Sequence, residues 1–217
     1  LLGSGRRVRS VLVTPEQHAA LHDVLATAAA PVYVAPPEVL RRVVGFELHR
    51  GAVASADRWP LLRPADVLGA ARRLAVCERI NDHENLGVVF RSAAALGIDA
   101  VLLDSECADP LYRRCVRVSI GHVVTLPWTR LSSLDELRTA GFTTVALTPR
   151  AEATAIDDVA WPARVALLLG AEGPGLSDAW LGGADMCARI PMAPGSDSLN
   201  VATAAAIAFH LSRARPS

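Results

Sequence analysis

Read as alternating apolar and polar positions, the chain changes character near residue 60. Before that point, VRSVLV (8–13) alternates as a half-buried strand does, and Thr14 with Pro15 behind it opens a helix that the pattern carries to about Ala29. PVYVA (31–35) gives a second strand, residues 37–43 a short helix, and GAVA (51–54) a last strand. LLGSG at the start reads as the last turn of a helix closing at Gly3 or Gly5. These elements make a small α/β unit, and the polar, proline-bearing stretch over 50–66 reads as its exit, with a boundary near 63 and a linker over 64–70.

From residue 71 to 217 strands and helices alternate. RLAVCERI, AVLL, HVVTL, FTTVALT, RVALLLG and CARIPM are strand signals. ENLGVVFRSAAALG, a segment near 110–116, SSLDELRTA, DAWLGG and SLNVATAAAIAFHLSRA are helix signals. Alternation with unbroken apolar strands such as VALLL predicts a mostly parallel sheet covered on both faces.

Composition narrows the function classes. The 217 residues are enough for a self-sufficient core, and no uncharged apolar run nears the roughly 20 residues of a bilayer span. The basic residues after the first apolar pair do not form a secretion signal, so a cytoplasmic location is expected. Cys77, Cys107, Cys115 and Cys187 form no CxxC pair, which argues against zinc and redox chemistry and for buried thiols. Net charge is zero and all 22 basic residues are Arg, but 11 Arg face 7 acidic residues in 1–80 while 11 face 15 afterwards. That asymmetry fits an N-terminal segment in contact with phosphates, which guanidinium groups bind through paired hydrogen bonds.

Three stretches carry candidate chemistry, each following a strand, where an open parallel sheet places its ligand. Asn81–Arg91 puts polar residues after a strand and then Arg91 inside an otherwise apolar helix, where it is either a snorkelling surface residue or, with Val88, Val89, Phe90, Ala93, Ala94 and Leu96 around it, a charge near a buried interface that needs an anionic partner. Asp82 or Asn85 can cap that helix. LLLGAEGPGL (167–176) runs a buried strand into a turn with three glycines; it is neither the GxGxxG dinucleotide fingerprint nor a P-loop. RIPMAPGSDSLN (189–200) is a strand, a Pro- and Gly-bearing loop and a helix start, with Ser198 as an N-cap candidate and Asn200 where an asparagine suggests a used side chain. No metal site is expected, because His18 and His22, four apart, have no third ligand near and no HExxH pattern. No GxSxG elbow accompanies Ser198, so a serine hydrolase is not supported.

Asn85-Leu86-Gly87 with Arg91, Gly170-Ala171-Glu172-Gly173 with Gly175, and Ile190-Pro191-Met192 with Ser198-Leu199-Asn200 resemble, in order and spacing, the three motifs of the SpoU family of RNA methyltransferases. The resemblance is close over 71–217. More loosely, residues 1–63 resemble the later part of a small ribosomal-protein-like RNA-binding domain, which ordinarily starts one strand and one helix earlier. The family implies a SPOUT fold with a C-terminal trefoil knot, S-adenosylmethionine as cofactor, a homodimer, and methylation of a ribose 2'-hydroxyl in RNA, with ribosomal RNA favoured over transfer RNA.

By the same resemblance Gly170, Ile190, Leu199, Thr148 and Met192 contact the cofactor, with Gly170 leaving space for it. Asn85, Arg91, Glu172, Ser198 and Asn200 carry the catalytic roles. A guanidinium keeps its proton, so Arg91 is assigned to the phosphate beside the target ribose and to the developing alkoxide, not to a general base. Gly195 stands one position later than in many relatives, which predicts an altered loop. The rival reading is a non-catalytic RNA-binding protein that keeps the fold. The final helix offers Ala204, Ala205, Ala206 and Ala208 beside Ile207 as a small-residue face for the dimer.

Overall fold

A computed structural model describes residues 1–48 and 50–213. The chain divides into two compact units, Leu1–Pro60 and Leu61–Ser217. Among the described residues, no helix is long and apolar enough to cross a membrane.

The first unit is a three-stranded sheet. β1 (Val8–Val13) lies between β2 (Val32–Val34), parallel to it, and β3 (Ala52–Ala56), antiparallel. Val11, Val13 and Leu25 form its small core, with Leu21 and Val32 packed against them. Thr14 caps α1 (Pro15–Ala20) by accepting from the Gln17 amide. The helix expected to reach Ala29 breaks at Leu21 and resumes as α2 (His22–Ala26). It ends early because the Thr27 hydroxyl satisfies the Val24 carbonyl, ahead of an Ala run and Pro31. α3 (Pro37–Val44) follows β2 and stops at Gly45, whose φ of 78° suits glycine.

The second unit carries a seven-stranded sheet in the order β6-β5-β4-β9-β7-β10-β8, with every described neighbouring pair parallel. Its strands are β4 (Arg73–Cys77), β5 (Ala100–Leu103), β6 (Trp128–Arg130), β7 (Thr143–Leu147), β8 (Thr154–Ala155), β9 (Val165–Leu169) and β10 (Met186–Arg189). β9 enters the middle of the sheet late in the chain, pairing Cys77 with Leu169 on one side and Val145 with Leu167 on the other. The all-apolar run of β9 is therefore buried on both faces, as a central parallel strand requires.

Residues over 64–70 are not a linker but helix α4 (Pro64–Ala70), because Pro64 starts a helical turn and Val67 and Leu68 find places in the second unit's core. HVVTL is not a strand: His122–Thr125 is a single helical turn, α7, entered through Gly121 at φ 88°. Its Val123 and Val124 are buried in the fold. The sixth strand starts after Pro127 instead, where Trp128 pairs with Val101, so tertiary packing overrides the β-branched composition. β8, only two residues long, had no alternating pattern to announce it.

Helices fill the connections: α5 (His83–Ala95), α6 (Arg113–Val118), α8 (Leu134–Thr139), α9 (Asp178–Gly183) and α10 (Val201–Leu211). Gly87 on α5 faces α6, where a Cβ would stand 2.9 Å from the Val118 Cβ and 3.0 Å from the Cys115 carbonyl; glycine lets the two helices touch. α10 packs on α5 and buries Ala205, Ala208 and Phe209 completely. Part of the small-residue face expected at a dimer interface is thus used within the chain, because close helix packing wants small side chains there too. Ala204, Ala206 and Ile207 stay partly exposed. Ala214, the last residue expected in this helix, lies outside the described residues.

Candidate active site

The parallel ladder continues one residue beyond its strands. The Glu78 amide donates to Leu169 O at 2.8 Å, Asp104 to Cys77 O at 3.0 Å and Thr148 to Ala188 O at 3.0 Å. Residues 78, 104, 148, 170 and 190 therefore gather at the carboxyl edge of the sheet, where ligands bind in open parallel folds.

A cleft of about 290 Å³ opens there. Its walls come from the segments after β7 (Thr148, Arg150), after β9 (Gly170–Leu176) and after β10 (Ile190, Met192, Ser198–Asn200), closed by Leu181 and Ala204. All five residues expected to contact a cofactor, Gly170, Ile190, Leu199, Thr148 and Met192, line it, as do Glu172, Ser198 and Asn200.

Gly170 has a different reason to be glycine than space for a ligand. A Cβ on it would lie 2.1 Å from the Leu176 amide and 2.2 Å from the Gly175 carbonyl carbon. The turn doubles back onto its own start, with the Gly175 amide donating to Ala171 O at 2.9 Å, and Gly173 and Gly175 take φ of 89° and 71° to make that path. Backbone crosses backbone at Gly170, and no side chain fits between.

Three of the candidate catalytic residues form one hydrogen-bonded chain. Asn200 Nδ2 donates to Asn85 Oδ1 at 2.8 Å, and Asn85 Nδ2 donates to Glu172 Oε2 at 2.9 Å. Each of the three sequence motifs supplies one member, separated by 87 and 115 positions along the chain. Asn200 also caps α10, its Oδ1 accepting from the Ala202 and Thr203 amides. This corrects Ser198 as N-cap candidate: Asn200 is the better acceptor at the position where the helix starts, and Ser198 remains exposed on the cleft. On α5 the cap is Asp82, which accepts from the Glu84 and Asn85 amides at 2.7 and 2.9 Å and so fixes where Asn85 starts.

Arg91 stands apart. It is exposed on α5, on the face that carries Glu84 and Val88, and does not line the cleft. Val89, Phe90 and Ala93 face the core while a 100° step per residue turns Arg91 outward beside the exposed Val88, so Arg91 is a surface residue and not near a buried interface.

Sequence reasoning missed Glu78. It is 5 % exposed at the end of β4, and both its oxygens accept from Ser177: Oε2 from the amide at 2.7 Å and Oε1 from the hydroxyl at 2.6 Å. The same hydroxyl accepts from the Trp180 amide and caps α9. An acidic residue directly after an apolar strand was the available signal. Its neighbour Arg79 adopts φ 55°, rare for a side-chain-bearing residue, with its amide bound to Asp104. Cys77, Cys107 and Cys115 are buried; burial, followed by the Asp104 carboxylate, pushes the Cys107 thiol up to about 12.

The comparisons with known proteins bear on the same region. Residues 72–210 match the family model described as the SpoU rRNA Methylase family. An uncharacterized tRNA/rRNA methyltransferase of Mycobacterium tuberculosis is 48% identical over 204 residues, covering 91% of this chain and 71% of that protein. A 23S rRNA guanosine 2'-O-methyltransferase of Bacillus subtilis is 32% identical over 152 residues, 68% of this chain and 61% of that one. The structure of an AdoMet-bound rRNA methyltransferase from Sinorhizobium meliloti superposes with a TM-score of 0.83 at 26% identity, covering 98% of this chain and 82% of that one. With the matched region spanning the whole sheet and all three motif segments around the cleft, the chain belongs to the SpoU rRNA methylase family.

Proposed function

We propose that this protein transfers a methyl group from S-adenosylmethionine to the 2'-hydroxyl of one ribose in RNA, ribosomal RNA in preference to transfer RNA. The observation that carries the reading is the Asn200–Asn85–Glu172 chain beside a cleft walled by Gly170, Ile190, Met192 and Leu199. The residues fit the cofactor: Ile190, Met192, Leu199 and Leu181 offer apolar surface to a purine, and the loops after β9 and β10 offer backbone polar groups to its sugar and amino-acid portions. When bound, S-adenosylmethionine supplies an electrophilic methyl group on a sulfonium. The similarity to relatives named as rRNA and 2'-O methyltransferases supports both the substrate and the bond formed.

The chain's own residues do the positioning. Asn85 and Asn200 hold Glu172 at the cleft wall, and Ser198, exposed on the same wall, orients the ribose. Arg91 stands off the cleft wall, exposed on α5 and free of any described protein partner, and takes the phosphate flanking the target nucleotide outside the cleft, where its charge favours loss of the hydroxyl proton. We further propose that two copies assemble as a homodimer through the part of α10 that stays partly exposed, at Ala204, Ala206 and Ile207, and that the C-terminal segment of each chain forms a trefoil knot. In this reading Leu1–Pro60, with Arg7 and Arg9 beside Asp57 and the Arg6 guanidinium 4.0 Å over Trp59, contacts RNA.

The test is transfer of labelled methyl from S-adenosylmethionine to ribosomal RNA by the wild type and by Arg91→Ala. Label in alkali-resistant dinucleotides, reduced about 10²- to 10³-fold in Arg91→Ala, is the expected result. Label in alkali-labile mononucleotides would place the methyl on a base, and no transfer to naked RNA or ribosomal subunits would return the protein to a binding role.

A further inference from the structure

We infer that Glu78 is a positioning residue for the cofactor cleft, acting through Ser177 on the glycine-rich turn; the inference rests on the cofactor assignment above. A turn with glycines at 170, 173 and 175 has little rigidity of its own, since glycine has the widest choice of backbone conformations. Something else must fix its path, and the structure shows where. The turn is tied at two points: near its start Glu172 accepts from Asn85 in the first turn of α5, and at its end Ser177 donates twice to Glu78, directly after β4.

The second tie is the buried one. A carboxylate at 5 % exposure has lost most of its water, and its compensation comes from the two donors of a single residue, with the Arg79 guanidinium 3.9 Å away. Ser177 is therefore held in position and orientation, its hydroxyl donating to Glu78 while accepting from the Trp180 amide. The residue before it, Leu176, is the one whose amide lies against Gly170, so where Ser177 is fixed decides where Gly175 and Leu176 close the cleft wall. Burial of Leu176 at 6 % exposure also anchors the turn, but an apolar contact sets depth more than direction, while paired hydrogen bonds set both. Glu78 itself does not line the cleft, which is why its part is positioning and not contact.

The experiment measures S-adenosylmethionine binding by calorimetry for wild type, Glu78→Gln, Glu78→Asp, Ser177→Ala and the Glu78→Gln/Ser177→Ala pair, with thermal melting alongside and RNA methyl transfer as a second readout. Glu78→Gln keeps the shape and removes the charge. It and Ser177→Ala should each weaken binding about tenfold, and the pair by no more than the worse single, as residues acting through one tie do. In transfer assays KM for the cofactor rises while kcat at saturation stays within about threefold. Glu78→Asp, keeping the charge on a shorter stem, should recover part of the affinity. Variants that melt lower yet bind the cofactor within twofold of wild type would overturn the inference, leaving Glu78 a stabilising residue only. Absence of binding by the wild type would instead overturn the cofactor assignment.

Discussion

Gly170 and Gly182 differ in what one added carbon would meet. At Gly170 it would strike backbone at 2.1 Å, whereas at Gly182, in α9, there is nothing within 4 Å and φ is ordinary. Gly170→Ala should therefore lower stability by at least ~1–3 kcal/mol and abolish cofactor binding, because the turn must open to admit the methyl group. Gly182→Ala should be neutral or stabilising by up to about 1 kcal/mol, the helix preference of alanine over glycine. Chemical denaturation of both variants checks the contrast, and equal losses would contradict it. The presence of glycine at 170 was legible in the sequence, but its reason was not: a crossing between residues 170 and 176 is a matter of loop path, which no periodicity records. Asn85, Glu172 and Asn200 were legible only because their motifs occur in order; nothing local to any one of them shows that they hydrogen-bond to one another. Glu78 was overlooked because its partner lies 99 positions away.

Between elements, short polar contacts set strand ends and helix starts. The Thr144 amide and hydroxyl both donate to Asp185 Oδ2 at 2.7 Å, and these bonds hold the Asp185 carboxyl below the usual aspartate range. A depressed folded value means that the contribution is present above the ordinary aspartate pKa of about 3.9 and fades as pH falls through the lower folded value. Wild type should thus melt above Asp185→Asn near pH 7, with the gap shrinking below about pH 4. A gap constant from neutral to acid pH would contradict this account. On α5, Asp82→Ala should cost about 0.5–2 kcal/mol and weaken the Asn85 link by freeing the first turn, measured as a melting shift together with reduced cofactor affinity. The central strands β4, β5 and β9 were legible because double-sided burial writes itself as unbroken apolar runs. His122–Thr125 was misread for the same reason in reverse: a valine pair can be buried by one helical turn as well as by a strand, and Gly121 decides between them.

At the scale of the whole molecule, burial also governs the thiols. Cys115, pushed up to about 12 by burial and then by Asp109, and Cys107, likewise up to about 12, stay protonated at neutral pH. Cys77 lies deeper still, while Cys187 is only partly buried beside α9. Native protein treated with iodoacetamide should take one label, at Cys187, and all four only on unfolding; mass spectrometry of the digested protein would show otherwise if Cys107 or Cys115 reacted first. The parallel sheet and its covering helices were legible from alternation alone. The place where the last strands enter was not, because β9 and β10 insert between strands already laid down and strand order leaves no trace in local pattern.

The cleft at the carboxyl ends of β7, β9 and β10 is the place proposed for S-adenosylmethionine. Titration of S-adenosylmethionine into wild type and into Ile190→Arg, whose side chain would fill the cleft from its rim, tests that most directly. Saturable one-to-one binding by the wild type, lost in Ile190→Arg with the melting temperature preserved, is the result predicted. Equal affinity in the two proteins would contradict it and place the cofactor elsewhere.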